Sequence, residues 1–113
     1  MACVFCQIVA GRAPSKKVYE DEDVLAFHDV RPQAPVHALV VPKKHIASLV
    51  DLTPEDDALL GRLVRCGREV ARAAGLDKRG FRLVFNCGAD AGYSVFHIHL
   101  HVVGGRPLGW PPG

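Results

Sequence analysis

His97-Ile98-His99-Leu100-His101-Val102-Val103 places half of the chain's six histidines at strict two-residue spacing. A β-strand sends alternate side chains to opposite faces. The stretch therefore predicts a strand over roughly Ser94 to Val103. His97, His99 and His101 line one face, and Ile98, Leu100 and Val102 line the other. A face that is merely solvated is more readily filled by Thr, Lys or Glu than by three imidazoles. Imidazole titrates near neutral pH and serves as nucleophile, general acid, general base or metal ligand. One face thus reads as core and the other as chemistry.

The rest of the chain supplies a scaffold for that strand. Its 113 residues, 49% of them hydrophobic, suit one compact domain over 1–113 with one core. The net charge of +2 is too small for a nucleic-acid tract. The adjacent pair Lys43-Lys44 reads as a solvated strand end. No apolar run approaches the roughly 20 residues that cross a bilayer, so no membrane partner is expected. The start lacks the basic and long apolar regions of a signal peptide. A cytoplasmic protein with free or metal-bound cysteines is the expectation.

Thr53-Pro54-Glu55-Asp56 signals the start of a long helix, with Thr53 as N-cap and Pro54 at the first position. Leu59, Leu60, Leu63, Val64, Val70, Ala71 and Ala74 form its apolar stripe, and Gly75 ends it. Arg62, Arg65, Arg68 and Arg72 fall opposite, as a solvated face. A short helix is expected over Val4 to Val9. Strands are expected at Lys17–Glu20, Val24–Asp29, Val36–Val41 and Phe81–Asn86. Short connections imply antiparallel pairing. The result is an α+β domain with a five-stranded antiparallel sheet, one face under the long helix and the other free for a ligand or partner. The Pro/Gly-rich end, 104–113, reads as an extended tail.

Several residues could join the histidines. Phe27 and Asp29 share a strand face, and an aromatic with a carboxylate is a sensible site for a base and ribose hydroxyls. Phe27 alone would read as core. Asn86 either terminates its strand or reaches a ligand. Cys3-x-x-Cys6 has metal-type spacing, but tetrahedral zinc needs two more ligands. The pair is equally readable as two small buried thiols. Cys66 and Cys87 read as packing thiols. The chain has no G-x-S-x-G elbow and no P-loop, which disfavours a serine hydrolase and excludes a P-loop NTPase. The histidine face carries no carboxylate cluster to hold Mg²⁺, so no magnesium requirement is expected.

H-x-H-x-H followed by two apolar residues resembles the histidine-triad (HIT) superfamily of nucleotide hydrolases and transferases. The likeness spans nearly the whole chain. Val24–Asp29, Pro32-Gln33-Ala34-Pro35, Val41-Pro42-Lys43-Lys44-His45-Ile46 and Gly104-Gly105-Arg106…Trp110-Pro111-Pro112-Gly113 are similar to the Hint branch, the histidine-triad nucleotide-binding proteins. The resemblance implies a HIT fold and a purine nucleoside phosphoramidase that works through a covalent nucleotidyl-histidine. It makes His99 the nucleophile, His101 a phosphate contact and proton carrier, and His37 the buried partner that orients the nucleophile. His37 is otherwise a satisfied core histidine. Ser94 would contact phosphate and leaving group, and Asn86 the phosphate. Phe27, His28 and Asp29 would hold the nucleoside, and the backbone from Gly92 to Val95 the phosphate.

The resemblance also implies a zinc ion, structural and one per chain, held by Cys3, Cys6, His45 and His97. It implies a homodimer, with each tail reaching the partner's pocket. One departure stands out: where the branch usually has Gln before the serine, this chain has Tyr93, which puts the leaving-group side in question. The rival readings are a dinucleoside polyphosphate hydrolase, a nucleotide-binding regulator with incidental catalysis, and a plain zinc-binding module. The physiological substrate, the base beyond purine and any protein partners are not legible in the sequence.

Overall fold

The computed structural model describes residues 3–113. Helix α1 spans Val4–Val9, and strands β1, β2 and β3 span Lys17–Glu20, Val24–His28 and Val36–Pro42. Helix α2 spans Asp57–Ala73, β4 spans Phe81–Phe85, and β5 spans Leu100–Gly104. The five strands form one antiparallel sheet in the order β1-β2-β3-β5-β4. The expected α+β architecture is the one observed.

Directly paired residues share a face of the sheet, which assigns the two sides. Val40, paired with Leu100, and Ala38, paired with Val102, lie under α2 with Leu63, Cys66, Val70 and Ala71. The alternate register puts Phe27, Leu39, His101 and Val84 in one row on the opposite side. There α1 covers only one end, packing Phe5 and Ile8 on Leu25, Phe27, Leu39 and Val41. The histidine row is left beyond its edge. Ile98, Leu100 and Val102 belong to the α2 core, as the alternation requires.

Strand β5 begins at Leu100 and not near Ser94. The ladder stops because its neighbours stop: β4 ends at Phe85, and β3 ends at Pro42, which has no N–H to offer. Residues 94–99 bond instead to the chain after β3. Ile98 N–H donates to the Ile46 carbonyl at 2.8 Å, and Tyr93 O–H donates to the Ala47 carbonyl at 2.5 Å.

The helix start also differs in detail. Pro54–Asp56 forms one tight 3₁₀ turn before α2. Thr53 is the N-cap of that turn with Pro54 at its first position, as expected, and Asp56 completes a capping box: its carboxylate accepts the Thr53 N–H at 3.0 Å and an ammonium hydrogen bond from Lys44 at 2.8 Å. This ties the helix to the end of β3. The tail after Gly104 runs back along its own subunit. Arg82 donates to the Gly109 carbonyl at 2.9 Å and lies over the Trp110 ring, yet Trp110 remains 82% exposed.

Two glycines in α2 separate propensity from packing. A Cβ at Gly61 would meet open space. One at Gly67 would sit 2.9 Å from Leu100 and 3.2 Å from Leu83, where helix and sheet approach closely. Gly61→Ala is therefore expected to gain about 0.5–1 kcal/mol, and Gly67→Leu to lose about 1–3 kcal/mol by overpacking. Urea midpoints of the two variants check both signs.

Candidate active site and metal centre

Hydrogen bonds from backbone groups fix the tautomers of the site, because a carbonyl only accepts and an amide N–H only donates. The His99 Nδ1 lies 2.8 Å from the His97 carbonyl, so Nδ1 carries the proton. The His99 Nε2 is left with a bare lone pair. The Gln33 backbone N–H donates to His37 Nδ1 at 3.0 Å, so the His37 proton sits on Nε2. That nitrogen is 2.9 Å from His101 Nδ1 and 3.4 Å from an Asp29 carboxylate oxygen. His101 therefore accepts at Nδ1 and keeps its proton on Nε2. Neighbouring His99 and His101 rings, 5.0 Å apart, present opposite functions: a lone pair and a proton.

His37 thus bonds His101 and does not bond His99, contrary to the orienting role expected for it. The His99 ring is held by other groups. Phe5 meets it edge-on at 5.1 Å, and Tyr93 stacks on it at 5.6 Å with planes 16° apart. The sequence reading gave no role to Phe5, although its place between Cys3 and Cys6 on a short helix was a usable signal. The Gln33 amide, as a backbone group, left no trace in residue type.

The other expected residues gather loosely around this pair. Phe27 is buried edge-on against Phe5 at 5.6 Å, so it is core as well as a candidate wall. His28 is exposed and pairs with Ala38, which faces α2, so its register puts it off the histidine face. The Asp29 carboxylate also accepts the Arg31 N–H at 2.8 Å. Asn86 follows directly on β4, half-buried. Ser94 is exposed, after Gly92 at φ +75° and Tyr93. A cleft of about 560 Å³ lies elsewhere, between β1 and α2, lined by Val18, Tyr19, Arg62 and Cys66. It carries none of these groups. Burial pushes the Cys66 thiol up to about 11, so it is an unreactive packing thiol, as expected.

Cys3, Cys6, His45 and His97 converge at the N-terminal end of α1, next to Phe5. His97 is fully buried, and its Nε2–H donates to the Pro42 carbonyl at 2.7 Å. Its bare Nδ1 faces both thiols at 3.5 Å and His45 Nδ1 at 3.2 Å. His45 Nδ1 lies 3.3 Å from the Cys6 sulfur. Donors around tetrahedral zinc stand about 3.3–3.8 Å apart, given its bond lengths of ~2.0–2.3 Å. The donor set fits zinc in chemistry and spacing, with the Pro42 carbonyl fixing the tautomer of one ligand. Asp29, His37 and His101 also cluster, but His37 Nε2 could ligate only by orphaning the Gln33 amide.

The model of the HIT domain family matches residues 10–108. The chain belongs to the HIT family. A HIT family hydrolase from Legionella pneumophila is 48% identical, with TM-score 0.97 over 99% of this chain and 100% of that one. A zinc-bound histidine triad family protein from Mycobacterium smegmatis is 45% identical, with TM-score 0.82 over 94% of this chain and 76% of that one. A histidine triad nucleotide-binding protein from Candida albicans is 30% identical, with TM-score 0.83 over 97% and 83%. No helix among the described residues is long and apolar enough to cross a membrane.

Burial, then the neighbouring His99 and His37 rings, hold the His101 imidazole down at about 4. Burial lowers His99 as well. Both are neutral at pH 7. A folded pKa below the unfolded value of about 6.5 means the unfolded chain binds more protons between the two. Stability from His101 is therefore complete above pH 6.5 and lost as pH falls toward 4. Carboxylates contribute to acid unfolding only lower, near their unfolded values of about 4. Unfolding free energy at pH 5 is expected to lie about 1–2 kcal/mol below that at pH 7. The His101→Gln variant should show a flatter dependence in urea titrations at the two pH values.

Proposed function

We propose that this HIT-family hydrolase is a purine nucleoside phosphoramidase acting through a covalent nucleotidyl-His99. The observation that carries the reading is the pair of opposed tautomers, a bare His99 Nε2 beside a protonated His101 Nε2. The His99 lone pair attacks the α-phosphorus. The P–N bond to the leaving amine breaks with its electron pair, and that nitrogen takes a proton through His101 Nε2, which a proton from water replaces so that the ring stays neutral. Water then attacks the phosphorus, breaks the P–Nε2 bond and gives a proton back to solvent through His101. Nucleoside monophosphate and amine are the products, and the enzyme is restored.

Other groups support the same reading. The Ser94 and Val95 amides have no acceptor among the described residues, while those of Tyr93 and His97 are bonded to carbonyls. They suit a developing phosphoryl charge, together with Ser94 and Asn86. Phe27 and Asp29 lie on the histidine side of β2 and would hold the nucleoside, with the exposed His28 at the strand end beside them. Similarity to a histidine triad nucleotide-binding protein from Candida albicans supports a nucleotide as ligand. Zinc at Cys3, Cys6, His45 and His97 would brace α1 against the strand that carries His99, and no step passes through it. Magnesium has no role in this scheme. A symmetric dimer would give the exposed Trp110 ring a surface to bury.

His99→Ala should cut turnover of an adenosine phosphoramidate by about three orders of magnitude or more while leaving binding of adenosine monophosphate nearly intact. His101→Ala should fall by less. Rapid quenching of the wild type should trap a nucleotidylated chain that His99→Ala cannot form. Wild-type turnover in His99→Ala would overturn the mechanism. Faster hydrolysis of a diadenosine polyphosphate than of the phosphoramidate would favour the sister activity.

Elemental analysis of chain purified without chelator should give about one zinc per chain, and near zero in Cys3→Ala/Cys6→Ala. Losing the metal should lower the melting temperature more than it weakens nucleotide affinity, because ligand binding energy is coupled to folding. Full zinc content in the double variant would refute the ligand set.

A further inference from the structure

We propose that Tyr93 is a positioning residue for His99 and not a contact for the leaving group. This rests on the reading of His99 as the attacking group. In the sequence, Tyr93 stands beside Ser94 and so seems aimed at the substrate. Its polar end is already engaged. The phenol O–H donates to the Ala47 carbonyl at 2.5 Å, and the side chain is 8% exposed. A buried hydroxyl held by a carbonyl has no proton to spare for a ligand. Its ring is engaged as well, lying nearly parallel to the His99 imidazole at 5.6 Å.

The contacts around His99 leave one atom free. Nδ1 is fixed by the His97 carbonyl at 2.8 Å, which sets which nitrogen attacks. That bond alone lets the ring tilt about it. Phe5 blocks an edge at 5.1 Å, His101 stands crosswise at 5.0 Å, and Tyr93 closes a face. Of the two ring nitrogens, Nε2 alone has no hydrogen-bond partner among the described residues. Aromatic pairs at these separations hold offset or edge-on geometries, and attack requires the lone pair to be aligned with the phosphorus. Phe96 braces Tyr93 from outside, edge-on at 5.6 Å. The anchor at Ala47 matters because it lies two residues from His45. The same segment that supplies a metal ligand therefore locks the ring that aligns the nucleophile.

The role separates ring from hydroxyl. Tyr93→Leu removes the stack and should lower kcat for the phosphoramidate by about threefold to tenfold, with KM nearly unchanged. Tyr93→Phe keeps the ring but loses its anchor at Ala47, so it should recover most but not all of that rate, and relative rates for a series of leaving amines should stay as in the wild type. A readout independent of turnover is the proton NMR spectrum of the His99 ring at about pH 8, where imidazole is neutral. Ring-current shifts from Tyr93 should vanish in Tyr93→Leu and persist in Tyr93→Phe. If Tyr93→Leu does not fold, Tyr93→Gln removes the aromatic ring in its place for the NMR test. Unchanged His99 resonances in the non-aromatic variant overturn the proposal, as does a Tyr93→Phe enzyme with altered leaving-group preference. Failure of the wider reading looks different: His99→Ala would keep turnover, while the NMR result for Tyr93 would stand.

Discussion

The hydrogen bond from His97 Nε2–H to the Pro42 carbonyl, 2.7 Å long and fully buried, governs both sites at once. It fixes the tautomer of His97 and so turns a bare Nδ1 toward Cys3, Cys6 and His45. It also fixes where the His97 backbone sits. The carbonyl of that residue holds the proton of His99 on Nδ1 and exposes the lone pair on Nε2. A side chain of the candidate metal centre thus lends its own peptide group to the ring proposed as nucleophile. Leaving the Pro42 carbonyl or the imidazole N–H unpaired in this interior would cost about 1–3 kcal/mol, and both sites would lose their geometry with it.

Why the strand should fail to continue through residues 94–99 follows from the same constraint. A regular ladder there would spend the backbone groups on a neighbouring strand. Ending β3 at Pro42 and β4 at Phe85 frees the segment to bond with residues 42–47. The peptide groups that a sheet would consume become available to set imidazole tautomers and to face a ligand. Local irregularity is the source of the chemistry, and the regular part of β5 beyond Leu100 supplies the rigidity behind it.

Much of this was written in the sequence. The two-residue alternation separated Ile98, Leu100 and Val102 from the three histidines correctly, because that pattern survives whether or not the extended chain is paired. The stripe of α2 and the turn residues announced the helix and most strand ends. The extent of the last strand was not legible, since it depends on where two distant strands run out of partners. Nor was the pairing of His37 with His101. That contact arises from sheet register: His37 pairs with Val103, and the ring reaches diagonally to His101 on the same face. Tyr93 was visible as an oddity, but its buried hydroxyl and its stack on His99 appear only in the fold.

The order of tautomers also explains why crowded imidazoles work here without charge. Three rings within about one ring width cannot all be protonated, since like charges and burial both oppose it. Burial lowers His97, His99 and His101 alike. Neutral imidazole, however, has two equivalent forms unless something chooses between them, and the wrong form at His99 would point an N–H at phosphorus. Side-chain partners could choose, but their own protons shift with pH and with ligand. Here peptide groups at His97, Gln33 and Pro42, which never change protonation state, choose for His99, His37 and His97, and His37 relays its choice to His101. The lone pair of His99 and the proton of His101 are therefore fixed by the fold itself, and under the proposed mechanism no reorganisation is needed at the moment of attack.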